Sequence, residues 1–202
     1  MTGLVRRLVS VAPGSRFEGT AGSGGELWFV IAGSGRLDAG GLRGAAVGRE
    51  AGIWVPPGSR YRLRASQDVL LDAVALPGEG RAPEAVAVPR VSQLRDCEVE
   101  RTGDRRFRVL LGPGRGCEAA TQFVGEIPPG RAPEHSHPYD EMVLVLQGEG
   151  VAHVRGGDRP LAPGTRLHLP PGRPHCLENT GTETLVVLGV FHPGGSPAQK
   201  KE

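Results

Sequence analysis

The stretch GRAPEHSHPYDEMVLVLQG, residues 130–148, determines the predicted fold and carries most of the predicted chemistry of the chain. His135 and His137 are two positions apart, so on a strand both imidazoles point to the same face. Pro138-Tyr-Asp predicts a turn, and Glu141 opens the apolar strand that follows. The carboxylate can therefore return beside the two imidazoles, which makes these three side chains candidate metal ligands.

A second block, GTRLHLPPGRPHCLEN at residues 164–179, supplies the fourth candidate ligand. Pro170-Pro-Gly172 predicts a turn between two strands. His175 follows this turn, so its ring can complete the set formed by the two imidazoles and the carboxylate of the first block. Three neutral imidazoles and one carboxylate suit a divalent transition metal ion (Fe, Mn, Ni, Co, Cu or Zn) better than Ca or Mg.

Short strand-like runs recur along the whole chain, each bounded by Gly, Pro or Asp. The 202 residues include 32 Gly and 18 Pro. Gly costs conformational entropy in a helix and Pro removes a hydrogen-bond donor, so this composition excludes an all-helical fold. Many short strands with frequent turn signals predict an antiparallel β-sandwich or barrel.

The first half of the chain repeats the pattern of the second. ELWFVIAGSG at 26–35 matches EMVLVLQGEG at 141–150 with an offset of 115 residues. IWVPPG at 53–58 matches LHLPPG at 167–172 with an offset of 114 residues. Two separate matches at nearly the same offset predict a duplicated domain of roughly 100 residues.

The two blocks of the second half resemble the two motifs of the cupin superfamily, although the first glycine-to-histidine gap is one residue shorter than usual. The resemblance extends to the first half through the repeat, so the chain resembles a bicupin. It implies an all-β fold of two tandem jelly-roll β-barrels, which we place at residues 1–92 and 93–202. It also implies one metal ion per chain inside the second barrel, held by His135, His137, Glu141 and His175.

The first half departs from this pattern. Thr20 and Gly22 stand at the positions of the two motif histidines, and Tyr61 stands where the last histidine would be. Glu26 alone is kept, and a single carboxylate does not hold a transition metal. We therefore expect a degenerate N-terminal barrel without metal ligands.

The predicted site indicates a metal-dependent enzyme acting on a small organic molecule. Strand alternation from Glu141 places Val143, Val145 and Gln147 on the metal-facing side as the substrate pocket. Dioxygenase-type oxidation is favoured, since a redox metal with open positions can bind a chelating substrate together with dioxygen. Two alternatives stay open. One is a non-redox isomerase, lyase or hydrolase that uses the metal as a Lewis acid, and the other is a non-enzymatic cupin that binds a small ligand.

Charge and composition restrict the partners. The chain has 24 basic and 22 acidic residues, a net charge of +2, so nothing indicates nucleic-acid binding. Neither a membrane span nor a signal peptide is predicted, so we expect a cytoplasmic protein that is a monomer or a homodimer and has no membrane partner. Four arginines of the second half, which could gather an anionic substrate, are interpreted as solvated surface residues: Arg155, Arg159, Arg166 and Arg173.

Overall fold

The structure is a computed structural model that describes residues 3–78 and 88–198. Over these residues it contains nineteen β-strands and a single 3-10 turn at Leu94–Asp96, which confirms the all-β prediction. The chain divides into two compact units. The first unit runs to Asp96 and includes Gly114–Glu118, and the second comprises Cys97–Pro113 and the chain from Ala119 onward. No helix of the described residues is long and apolar enough to cross a membrane.

The first unit consists of two antiparallel sheets. Its strands are β1 (Val5–Val11), β2 (Arg16–Thr20), β3 (Glu26–Ala32), β4 (Ser34–Ala39), β5 (Leu42–Gly48), β6 (Ala51–Val55), β7 (Arg60–Ala65), β8 (Val69–Ala75) and β9 (Arg90–Gln93). One sheet has the order β1-β8-β3-β6-β9 and the other the order β2-β7-β4-β5. Alternate residues of a strand point to opposite faces of its sheet. In β7, Tyr61, Leu63 and Ala65 are accordingly buried, while the arginines between them are exposed.

The second unit also pairs a larger sheet with a four-stranded one. Its strands are β10 (Glu100–Thr102), β11 (Arg105–Leu111), β12 (Thr121–Ile127), β13 (Gly130–Arg131), β14 (Asp140–Gln147), β15 (Gly150–Val154), β16 (Arg159–Leu161), β17 (Arg166–Leu169), β18 (His175–Asn179) and β19 (Leu185–His192). The six-stranded sheet has the order β10-β11-β12-β19-β14-β17, and the other the order β13-β18-β15-β16. An apolar core that includes Ile127, Leu169, Leu185 and Val187 lies between them.

The two units use the same strand pairing. β3 lies between β8 and β6 as β14 lies between β19 and β17, and every pair is antiparallel. Even the irregularities agree, since the register shifts between Val30 and Ala32 in β3 and between Val145 and Gln147 in β14. The internal repeat in the sequence therefore corresponds to a repeat of sheet topology.

Candidate metal centre

Three of the four predicted ligands converge in the second unit. The Nε2 atom of His137 lies 2.7 Å from Oε2 of Glu141, and Nε2 of His175 lies 3.7 Å from the same oxygen. One ligand atom from each residue falls within 4.8 Å of the others. All three side chains are buried, with 2–7% of their surface exposed. Such a buried cluster of two imidazoles and one carboxylate is a candidate metal centre.

Backbone hydrogen bonds hold the two sequence blocks together at this centre. Glu141 stands near the start of β14, where it pairs with Leu169 of β17 and Phe191 of β19. His175 is the first residue of β18. The Gly172 amide donates to the carbonyl oxygen of His137 at 2.8 Å. Gly172 has a φ of +67°, a conformation that other residues rarely adopt, so the PPG turn depends on this glycine.

The hydrogen bonds of the histidines define their tautomers. Nδ1 of His137 lies 2.8 Å from the Tyr139 carbonyl oxygen, and Nδ1 of His175 lies 2.9 Å from that of Arg173. A carbonyl oxygen only accepts hydrogen bonds, so each Nδ1 carries the proton and donates it. In its neutral form each ring therefore presents the Nε2 lone pair to the centre, which is the arrangement that metal-ligating histidines use.

Electrostatics also fit a cation at this centre. A neutral His137 places its Nε2 lone pair against the Glu141 carboxylate at 2.7 Å, a repulsive contact unless a proton lies between the two atoms or both bind the same metal ion. Burial lowers the pKa of His137, but the hydrogen bond and charge of Glu141 outweigh it, so this pKa lies above its usual range. Burial dominates at His175 and lowers its pKa. The two Nε2 atoms, once His137 has lost its proton, and the carboxylate form a donor set that suits a divalent transition metal ion.

His135, the fourth predicted ligand, lies at the side of this cluster. Its ring centroid is 4.6 Å from that of His175 and 6.2 Å from that of His137. Reciprocal backbone hydrogen bonds of 3.0 and 2.9 Å join His135 to His175. Its Nδ1 lies 3.1 Å from the Pro133 carbonyl oxygen, so it shares the tautomer of the other two rings. Burial lowers the pKa of His135, which favours the neutral form that a metal requires.

The predicted pocket residues lie elsewhere. Val143 and Val145 are each 1% exposed and pack into the apolar core between the two sheets. Gln147 is exposed, because the register shift after Val145 interrupts the strand alternation on which its assignment depended. None of the three lines the cavity beside the metal centre.

A small cavity of about 80 Å³ opens beside the candidate ligands. One wall is aromatic and consists of Phe107, Phe123, Tyr139 and Phe191. Tyr139 stacks on His137 with ring centroids 4.5 Å apart, and its hydroxyl donates to the Ser196 carbonyl oxygen at 2.9 Å. Burial raises the pKa of Tyr139 to about 12, with a further contribution from the Glu141 charge, so the phenol stays neutral.

Arg105 is a candidate functional residue that the sequence pattern did not single out. It lines the cavity from the start of β11, and its Nε is buried without a hydrogen-bond partner. The next arginine, Arg106, is already paired with Glu126 at 2.8 Å. Among the described residues, no carboxylate pairs with Arg105. Four arginines crowd residues 101–108, and only the fold shows that Arg105 and Arg106 line the cavity.

In the first unit, a guanidinium group accompanies the retained carboxylate. Glu26 is 5% exposed and accepts hydrogen bonds from Arg7 Nη2 at 2.8 Å and from Trp28 Nε1 at 2.7 Å. Tyr61, at the position of His175, lies with its hydroxyl 3.3 Å from the same Arg7 nitrogen. The negative charge of Glu26 is thus balanced by a side chain of the chain itself.

A different histidine cluster lies on the four-stranded sheet of the second unit. His153 places Nδ1 2.8 Å from Asp158 and Nε2 2.7 Å from Glu178. Both ring nitrogens face carboxylate oxygens, so the doubly protonated imidazolium satisfies both contacts. The hydrogen bonds to Glu178 and then to Asp158 raise the pKa of His153 above its usual range.

We expect this cluster to make stability depend on pH. Because the folded-state pKa of His153 is raised, its stabilising effect is complete below the unfolded-state value near 6.5 and is lost as the pH rises through the folded-state value. Thermal melts of wild type and His153→Gln should therefore differ most near pH 5.5 and converge near pH 8.5. The control Asp158→Asn/Glu178→Gln should show the same convergence. A constant difference across this range would contradict the prediction.

Comparison with known proteins places the matched region over this centre. Residues 123–191 match the family model of the cupin domain. The oxalate-binding protein of Thermotoga maritima is 37% identical over 68 residues, which are 33% of this chain and 56% of that protein. The chain thus spans little more than half the length of that relative.

Solved structures show the same fold. A structure of the oxalate decarboxylase of Bacillus subtilis, described for its Mn(II) centers, aligns with a TM-score of 0.77 at 17% identity, over 96% of this chain and 70% of that chain. The cupin 2 conserved barrel domain protein of Leptotrichia buccalis aligns with a TM-score of 0.66 at 17% identity, over 95% and 85% of the two chains. Residues 123–191, which hold His137, Glu141 and His175, thus match the cupin domain, and the solved structures share the fold.

Proposed function

We propose that this chain is a metal-dependent cupin that binds a small chelating carboxylate, of the size and charge of oxalate, beside His137, Glu141 and His175. The observation that carries the proposal is the placement of Arg105. This guanidinium group lines the same cavity as the three candidate ligands, and the structure gives it no carboxylate partner among the described residues. A metal ion and a free guanidinium group together select for an anion.

Cavity size favours a very small ligand. Its volume of about 80 Å³ gives room for on the order of six water-sized groups. Drug-sized ligands occupy pockets of about 300–1,000 Å³. A compact dicarboxylate fits this space better than a bulkier chelating substrate. The T. maritima relative, named an oxalate-binding protein, supports the same ligand class.

Each residue around the cavity has its own role in this proposal. His137, Glu141 and His175 would hold the metal, which would supply Lewis acidity toward a bound carboxylate. The carbonyl oxygens of Tyr139 and Arg173 orient the two imidazoles. The aromatic wall excludes water and strengthens electrostatic interactions in the cavity. Arg105 binds the carboxylate group through charge-assisted hydrogen bonds.

We retain His135 as the fourth ligand of this centre. Its Nδ1–H is committed to the Pro133 carbonyl oxygen, which leaves Nε2 as a donor atom. Its ring stands 4.6 Å from that of His175. We also infer that each unit is one jelly-roll barrel, with the division near residues 92–97. The repeated sheet topology supports this inference.

Binding and turnover are separate steps in this proposal. Cleavage of bound oxalate, with uptake of one proton, to carbon dioxide and formate is a lyase reaction without net oxidation. Oxidation of oxalic acid by dioxygen to two molecules of carbon dioxide and one of hydrogen peroxide is an oxidase reaction, which differs from the dioxygenase-type oxidation favoured by the sequence. The polarising metal and the cationic Arg105 support the first without requiring the second. Oxygen consumption and carbon dioxide release, measured together, separate the two reactions, because only the oxidation consumes oxygen. If neither is detected, a binding protein is favoured.

We expect oxalate to bind only when the metal is present. Isothermal titration calorimetry on protein loaded with one Mn(II) per chain should give a dissociation constant below about 1 mM, and chelator-treated protein should bind at least about 100-fold more weakly. Succinate, which is longer, and formate, which has one carboxylate, serve as ligand controls. Metal analysis after each titration checks that oxalate has not extracted the ion. Equal affinity with and without metal would overturn the proposal.

A further inference from the structure

Four arginines of the second unit line one groove outside the metal cavity. The groove has a volume of about 540 Å³, and its basic residues include Arg155, Arg159, Arg166 and Arg173. These four are spread over 19 positions of the sequence, where each one alone is typical of a solvated surface residue. All four are exposed. Their convergence is a property of the fold.

Strand pairing explains the convergence. Val154 at the end of β15 pairs with His175 at the start of β18, so Arg155 and Arg173 flank the same end of the four-stranded sheet. Arg159 opens β16 and pairs with Ala152, two residues before that end. Arg166 opens β17, the last strand of the other sheet. The groove therefore runs along the opening between the two sheets.

The corresponding opening is covered in the first unit. There, β6 pairs on its outer side with β9, through contacts such as Ile53 with Val91. In the described part of the second unit, β17 is the edge strand and no strand covers it. The second unit thus has a groove at the position where, in the first unit, β9 pairs with β6.

The charge of the groove is not balanced by the chain. Among the described residues, none of the four arginines forms an ion pair with a carboxylate. The acidic residues next to the groove are engaged with histidines, since Asp158 lies 2.8 Å from His153 and Asp140 lies 2.7 Å from His168. Several guanidinium groups around one concavity repel each other, and a bound anion relieves this repulsion.

The groove also has an apolar part, here called its floor. The lining residues of this part are Val154, Leu167, Leu169, Pro170 and Pro174. An anion with a hydrocarbon or aromatic body buries apolar surface there and keeps its charged head among the arginines. The volume falls within the range of sites for small organic molecules, about 300–1,000 Å³.

We propose that this arginine groove is a second binding site, separate from the metal cavity, for a small amphiphilic anion with a phosphate or carboxylate head on an apolar body. His175 and Leu169 line both the groove and the metal cavity, so the two sites adjoin each other. The four arginines belong to the groove alone. Binding in the groove therefore requires neither the metal nor Arg105.

Calorimetric titration of the full chain with phenyl phosphate, in the presence of chelator, tests this proposal. The chelator removes the metal and so prevents binding at the metal-dependent site. If phenyl phosphate does not bind under these conditions, the result counts against the groove proposal and not against the proposed function. We expect phenyl phosphate to bind at least about tenfold more tightly than inorganic phosphate, because its ring covers the apolar floor. Arg159→Gln/Arg166→Gln should lower the affinity at least about tenfold. The control Arg49→Gln/Arg95→Gln, which removes the same charge at side chains 77% and 80% exposed, should leave it unchanged.

A second measurement uses the wild-type chain, so its outcome does not depend on whether a variant folds. Phenylglyoxal labels accessible arginines, and mass spectrometry reports each site. Phenyl phosphate should protect the four groove arginines and leave Arg49 and Arg95 labelled. Equal affinities for the two double variants, or protection spread over all exposed arginines, would show only a general effect of charge and would overturn the proposal. Equal affinity for phenyl phosphate and inorganic phosphate would overturn the amphiphilic ligand class.

Discussion

Replacing His137 or His175 by alanine is expected to remove the metal from the protein. Each ring supplies an Nε2 donor within the cluster of three ligand atoms, and its Nδ1 is already committed to a backbone carbonyl oxygen. Loss of a group that only orients a ligand costs about 10–100-fold in metal affinity, so loss of the ligand itself should cost at least about 100-fold. Dialysed wild type should retain close to one metal ion per chain, and the two variants well under 0.1, about a tenfold loss of occupancy or more.

His168→Ala is the matched control for this experiment. It removes an imidazole from the same unit that is exposed and hydrogen-bonded to Asp140, outside the metal centre. Elemental analysis of the variants purified in parallel gives the occupancy, and circular dichroism shows that each remains folded. Full occupancy in His175→Ala would refute the assignment of the centre.

Glu141→Gln separates charge from shape at the same centre. The amide keeps the size and one oxygen donor but removes the negative charge that lies 2.7 Å from His137 Nε2. Under excess metal we expect partial occupancy and altered turnover per bound ion.

A metal that binds only the folded state at 100 times its dissociation constant stabilises it by about 2.7 kcal/mol. A chelator should therefore lower the melting temperature of wild type by about 10 °C and that of His175→Ala hardly at all.

Arg105→Gln is expected to abolish most carboxylate binding while the metal stays in place. Hydrogen bonds to charged groups contribute about 1.5–3 kcal/mol, which corresponds to a loss of about 10–100-fold in affinity for oxalate. Arg105 is outside the cluster of candidate ligands, so metal occupancy should equal that of wild type. Calorimetry with oxalate on metal-loaded protein measures the first quantity, and elemental analysis the second.

Two further variants make this experiment specific. Arg101→Gln removes the same charge from an exposed position on β10 and should bind oxalate as wild type does. Arg105→Lys keeps the charge but loses the planar pair of donors, so it should recover only part of the affinity. Wild-type affinity in Arg105→Gln would show that the anion is held without this arginine, and the proposed ligand class would then lose its main support.

The local sequence was sufficient for the fold class and for three of the candidate ligands. Short apolar runs separated by Gly and Pro specify antiparallel strands, since both features act within a few residues. His137 and Glu141 are four residues apart across one turn, and the PPG turn places His175 at the start of β18. Turn chemistry and strand periodicity are local, which explains why these positions could be predicted.

Only the tertiary structure decided which side chains face the cavity and which face solvent. Gln147 follows a register shift that strand alternation does not encode, and it is therefore exposed. Arg105 and Arg106 both line the cavity, but among the described residues only Arg106 is paired with a carboxylate, a difference that the sequence does not show. The arginine groove depends on pairing between Val154 and His175, which are 21 positions apart. Such long-range register is set by the packing of whole sheets, and no short stretch of sequence contains it.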